Sequence, residues 1–138
     1  MEQFKPRQLT VFFSLHQGAL PPSNEAWEGA LKELTKYSIP YYVGTGSYGG
    51  TKEEYIAAQV YSPDVALKLI EGIARAAEQE SILLVYSTGA GYLKHLKDGR
   101  EEYIGEGYTV NKVMSWMDSY SILPNGRVLY FQEFKSIK

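Results

Sequence analysis

From Leu9 to Ser87 the hydrophobic periodicity switches from the strand to the helix repeat and back two times over, which narrows the available folds more than any other feature. Leu9, Val11, Phe13 and Leu15 alternate with Thr10, Phe12, Ser14 and His16, predicting a strand. Gly18, Pro21 and Pro22 break it. Trp27, Leu31, Leu34 and Tyr37 then recur at helical spacing. A helix is expected from Asn24 to Tyr37, capped by Ser23 or Asn24 and stopped before Pro40. Tyr41, Tyr42 and Val43 lead into Gly44-Thr45-Gly46-Ser47-Tyr48-Gly49-Gly50, read as a glycine-rich loop. Ile56, Ala58 and Val60 alternate with Tyr55, Ala57, Gln59 and Tyr61, so a strand over 54–61 is preferred to the helix that Thr51 and Glu54 would cap. Ser62-Pro63-Asp64 starts a second helix, running to Glu78 with Ala66, Leu69, Ile70, Ile73 and Ala77 on one side. Residues 81–87, SILLVYS, read as a short buried strand.

This β-α-β-β-α-β order predicts an α+β fold. Residues 1–87 would form a ferredoxin-like βαββαβ sandwich, an antiparallel sheet with both helices on one face. Residues 88–138 would add a C-terminal β-rich extension within one domain spanning 1–138. Asp98-Gly99 marks a hairpin between 92–96 and 102–109. Lys112 to Asp118 reads as a short helix using Val113, Trp116 and Met117. Asn125-Gly126 marks a turn before a strand from Arg127 to Phe134. The tail is expected to extend the sheet or to cross its open face.

Three stretches resemble an uncharacterised bacterial family known as a domain of unknown function. They are LTVFFSL followed by a glycine and SNEAW, GTGSYGG followed by EEYIAAQVYSPD, and AEQESILLV, all within residues 9–87. The resemblance implies a ferredoxin-like fold and no assigned reaction, and no catalytic residue is carried over from it.

Composition removes several function classes. Fourteen Lys and Arg against sixteen Asp and Glu leave a net charge of −2, which argues against general nucleic-acid binding. The chain has no cysteine, so disulfides, thiolate metal sites and cysteine nucleophiles are excluded, and a cytoplasmic setting is expected. Two histidines without clustered carboxylates predict no metal site, and no cofactor is expected. No signal peptide or membrane-spanning stretch is expected.

The candidate binding residues are glycines and aromatics. Gly44 to Gly49 spells G-x-G-x-x-G, but no helix follows directly, so a hairpin loop is favoured over a dinucleotide site. Twelve tyrosines and three Gly-Tyr clusters suggest a contact surface built from Gly46, Ser47, Tyr48, Gly49, Tyr92 and Tyr108. The outward sheet face would show Phe12, Tyr55 and Tyr61, with His16 near its rim. Such a face could stack RNA bases, but the charge is wrong, and a dimer mate or the tail is expected to cover it. His95 reads as a surface histidine, and Glu53-Glu54 and Glu101-Glu102 as solvated charge. The leading expectation is a non-enzymatic cytoplasmic binding protein, a homodimer. It would hold a small ligand, nucleotide-like ligands included, or inhibit a partner protein, as phage-type inhibitors do. The alternative is a cofactor-independent enzyme in which His16, with Tyr55 or Tyr86, transfers protons. A purely structural assembly subunit is a third reading.

Overall fold

The computed structural model describes residues 1–61 and 63–132. Helix α1 (Asn24–Lys36) begins where Ser23, in extended conformation, accepts a hydrogen bond from the Ala26 N–H at 3.1 Å. Helix α2 spans Pro63–Ala76, and the expected cap at Ser62 lies outside the described residues. Strand β2 (Leu9–Ser14) lies between β4 (Thr51–Val60) and β5 (Ser81–Val85), antiparallel to both. On one side β4 pairs with β3 (Tyr41–Tyr48) through a tight hairpin at Gly49-Gly50, where both glycines have positive φ. On the other, β5 continues into the meander β6 (Ala90–His95) and β7 (Glu101–Val110).

The remaining pairings overturn the expected ferredoxin-like α+β sandwich. Strand β8 (Tyr120–Ile122) pairs with β3, β9 (Val128–Gln132) pairs with β8, and β9 also pairs with β7. The order β7-β6-β5-β2-β4-β3-β8-β9 therefore returns to β7 as a closed eight-stranded antiparallel barrel with two helices outside it. The short β1 (Glu2–Gln3) adds to β7. Period-two alternation identifies a strand and its two faces but not the partners of its edges. Here the extension supplies those partners, so the sheet has no open face.

Closure gives the sheet two apolar sides. Outside, Val11 and Phe13 of β2, Ile56 and Ala58 of β4 and Ile82 and Leu84 of β5 pack with Leu34 of α1 and Ile70 and Ala74 of α2. Inside, Phe12, Tyr55, Ala57, Val85, Leu123 and Leu129 form a second core. A third cluster of Met117, Val128 and Tyr130 takes in Met114 and Tyr120 from the segment before β9. Helix α2 is tied to the barrel by a 3.0 Å ion pair between Lys94 of β6 and the buried Glu71. Arg75 adds to this by donating to the Leu96 carbonyl at 3.0 Å. Among the described residues no helix is long and apolar enough to cross a membrane.

Three local expectations also change. Residues Gly44 to Tyr48 are part of β3 rather than a loop. The expected helix from Lys112 to Asp118 is instead irregular, with a turn closed by the Met117 N–H on the Met114 carbonyl. The last strand begins at Val128, and the part of the expected strand past Gln132 lies outside the described residues.

Gly44 sits where a Cβ atom would fall 2.4 Å from the Tyr55 hydroxyl and 2.7 Å from the Ile122 carbonyl oxygen. Gly44→Ala should therefore destabilise the protein by about 1–3 kcal/mol through overpacking. Gly29→Ala, on the exposed side of α1 with nothing within 4 Å, should stabilise it by about 0.5–1 kcal/mol. Urea unfolding midpoints of the two variants, compared with wild type, check both signs.

Candidate functional site: a cavity in the open end of the barrel

Because neighbouring strands are antiparallel, the end of β2, the end of β3 and the starts of β4, β5 and β8 meet at one end of the barrel. A cavity of about 800 Å³ opens there. Phe12 and Tyr55 line it, and Phe4 and Tyr42 pack edge-on to Phe12 at ring-centroid distances of 6.4 and 6.2 Å. Those four rings fill the opposite end of the barrel. The apolar wall comes from Leu83 of β5, Leu93 of β6, Ile104 of β7 and Leu129 and Phe131 of β9. Polar groups gather nearer the mouth, where Ser14, Ser81, Ser121, Tyr48 and Glu53 line the cavity with His16, Gln79 and Glu80.

The hydroxyls inside are held in place. Tyr48 and Ser121 share a hydrogen bond of 2.7 Å. The Tyr55 hydroxyl donates to the Ile122 carbonyl, also at 2.7 Å. Burial pushes the Tyr42 phenol up to about 12. Tyr48 is likewise pushed up to about 12, by burial first, with the Glu53 carboxylate adding to the rise and the Ser121 hydrogen bond opposing it. Tyr55 is held far above the usual phenol range by burial, then by Tyr42 and Tyr48. These phenols are neutral donors at physiological pH rather than bases.

His16 is buried at the mouth, where its ring Nε2 accepts a hydrogen bond from the Glu54 N–H at 3.1 Å. Its own N–H donates to the Ser14 hydroxyl at 3.0 Å, and the Gln79 side-chain amide donates to its carbonyl. Among the described residues three carboxylates, Glu53, Glu78 and Glu80, border the cavity, and no Lys or Arg does. Among the described residues no group of three or more His, Cys, Asp or Glu is placed to hold a metal ion.

The fold brings Phe12, His16, Tyr48 and Tyr55 together, but inside the barrel and not on an exposed sheet face. Phe12 and Tyr55 are almost fully buried, whereas Tyr61 is exposed and apart from them. Gly46 lies in β3 opposite Glu53. Ser47 is one residue out of phase with the interior and donates to the Asp118 carbonyl at 3.4 Å. The N–H of Gly49, in the hairpin, donates to the Ser119 hydroxyl at 3.0 Å. Tyr92 lies edge-on to Tyr86 and tilted against Tyr103 and packs with the outer, helix-covered core, while Tyr108 packs on Tyr130. The expected Gly-Tyr loop surface is therefore dispersed. No hydrogen bond joins His16 to Tyr55 or Tyr86. Tyr86 packs against the outer core and donates to Glu101 at 3.0 Å, and the Tyr55 hydroxyl is committed to Ile122.

Several lining residues were not anticipated: Glu53, Ser81, Leu93, Ile104, Ser121, Leu129 and Phe131. Glu53 reads as solvated charge in sequence, yet it is half-buried on the inner side of β4 while Glu54 is exposed. For Leu129 and Phe131 the available signal was apolar residues on both faces of one strand, as in Leu129-Tyr130-Phe131. No family model matches the chain, and no curated protein is significantly similar to it.

Because folding raises the phenol pKa values of Tyr42 and Tyr48 from 10.0 to about 12, their contribution to stability is complete below pH 10. It is lost as pH rises towards 12. Absorbance at 295 nm should show a group of tyrosines that ionise only together with alkaline unfolding, followed in parallel by far-UV circular dichroism. Ionisation of every tyrosine before any loss of structure would contradict this.

Proposed function

We propose that the protein is a non-enzymatic binding protein that encloses one small ligand in the barrel cavity. An apolar or aromatic body would lie among Phe12, Leu83, Leu93 and Phe131, with a polar end at the Ser14–His16 rim. The observation that carries this reading is a cavity of about 800 Å³, apolar in its depth and polar at its mouth, inside a closed eight-stranded barrel. Ligand sites are typically of this size and character, and barrels of eight strands are just wide enough to hold one small ligand.

Charge narrows the ligand. A phosphate needs basic side chains or a cluster of free backbone amides. Among the described residues the lining offers no Lys or Arg and three carboxylates, which disfavours nucleotides and other anions. The reading needs no protein partner, since the aromatic face that suggested one is occupied by the chain's own strands. A cytoplasmic setting belongs to the same reading and is supported by the cysteine-free sequence.

Nile red, an uncharged apolar dye, should fluoresce on binding wild-type protein. Leu93→Trp and Ile104→Trp, which fill the wall, should weaken binding at least about tenfold, roughly 1.4 kcal/mol, with unchanged circular dichroism. A dye that does not bind, or that binds both folded variants as it binds wild type, would remove the proposal.

A further inference from the structure

Glu53 places a carboxylate on the inner side of the barrel without a counter-charge. It shares its face of β4 with Tyr55 and Ala57, which belong to the interior core, and it lines the cavity. Opposite it on β3 stands Gly46, which has no side chain to cover it. Glu53 is half-buried and takes no part in the ion pairs among the described residues. The His16 ring at the same mouth is no counter-ion, because its Nε2 accepts from the Glu54 N–H and so carries no hydrogen of its own. The Glu53 charge is felt inside the chamber, where, after burial, it adds to the upward shift of the Tyr48 phenol. Glu78 and Glu80 border the same mouth but are exposed, so water and salt weaken their reach.

Resting on the cavity reading above, we propose that the ligand is an amphiphilic amine, an apolar body carrying one protonated amino group, and that Glu53 binds that group. The cavity supplies the two halves in order along the barrel axis. Phe12, Leu83, Leu93 and Phe131 take the body, and the ammonium sits at the mouth beside the Glu53 carboxylate. The Ser14 and Ser81 hydroxyls line the same cavity and can accept its other N–H groups. Attraction between unlike charges grows as the dielectric falls, so a half-buried carboxylate favours a cation more than the same group in open water does. Burial of an unpaired carboxylate also costs free energy, and a bound ammonium offsets that cost. An alcohol of the same shape gains neither effect, and an anion is repelled. The apolar wall thus sets the size of the ligand and Glu53 its charge.

Matched probes that differ in charge test this. They are 2-(1-naphthyl)ethylamine, cationic at neutral pH, 2-(1-naphthyl)ethanol, which is uncharged, and 1-naphthylacetate, an anion. Each is titrated against Nile red bound to the full chain at low salt. Wild type should bind the amine about tenfold more tightly than the alcohol, and the alcohol more tightly than the carboxylate. Raising sodium chloride to about 0.5 M should shrink the preference for the amine. Glu53→Gln keeps the shape of the side chain and removes its charge. It should bring amine and alcohol to within about twofold of each other, with unchanged circular dichroism. Should that variant fail to fold, the wild-type ranking and its salt dependence decide. Equal binding of amine and alcohol by wild type, a preference indifferent to salt, or a preference that survives in folded Glu53→Gln overturns the role of Glu53 and leaves the cavity reading standing. Failure of Nile red and every probe to enter overturns the two together.

Discussion

The pairing of β7 with β9 is the constraint on which the rest of this structure depends. Glu106 to Val110 of β7 lie opposite Val128 to Gln132 of β9, and this seam converts a long antiparallel sheet into a ring. Without it, both β7 and β9 would present unpaired edges, and the aromatic inner face would meet water. The seam's hydrogen bonds are individually modest, about 0.5–1.5 kcal/mol net each. Burial of side chains such as Phe12 or Leu129 is worth about 1.5–3 kcal/mol apiece. The interior therefore supplies most of the drive to close, and the seam fixes the register in which closure happens.

Closure also explains why two helices suffice. Helices α1 and α2 cover only the outer side of the β2, β4 and β5 region, where Val11, Ile56 and Ile82 point. The irregular segment before β8 covers the opposite outer side, where Tyr130 and Val128 pack with Met117 and Trp116 leans edge-on to Tyr130 at 5.2 Å. The barrel is thus capped from outside at two places, and its interior is free to be either solid or hollow. Four aromatic rings make it solid at one end. At the other end, Ser14, Ser81 and Ser121 stand where larger residues would have filled the space. A polar, acid-bordered mouth over an apolar chamber follows directly from this gradation along the barrel axis.

Much of the chain was readable one element at a time. The strand starting at Leu9, the helix capped by Ser23, most of the strand expected over 54–61, the hairpin at Asp98-Gly99 and the turn at Asn125-Gly126 all follow from local rules of periodicity, capping and turn chemistry. Gly44 and Gly46 misled because glycine marks both loops and strands where another group comes close. Here that group is the Tyr55 hydroxyl at one position and the Tyr120 carbonyl at the other. Glu53 misled in the same way, since a carboxylate on a strand has one sequence signature whether its face meets bulk solvent or a cavity.

What the sequence by itself determined is both helices, most of the longer strands and the alternation that divides those strands into two faces, since these depend on neighbours a few residues apart. The identity of Phe12, His16, Tyr48 and Tyr55 as residues of special chemistry was also visible there. Only the tertiary structure decided which face is inside, because that choice depends on whether residues 88–132 pair with the edges of β3 and β5 or leave them open. Those contacts join positions far apart in the chain. No local pattern encodes them, and the cavity exists only once they have formed.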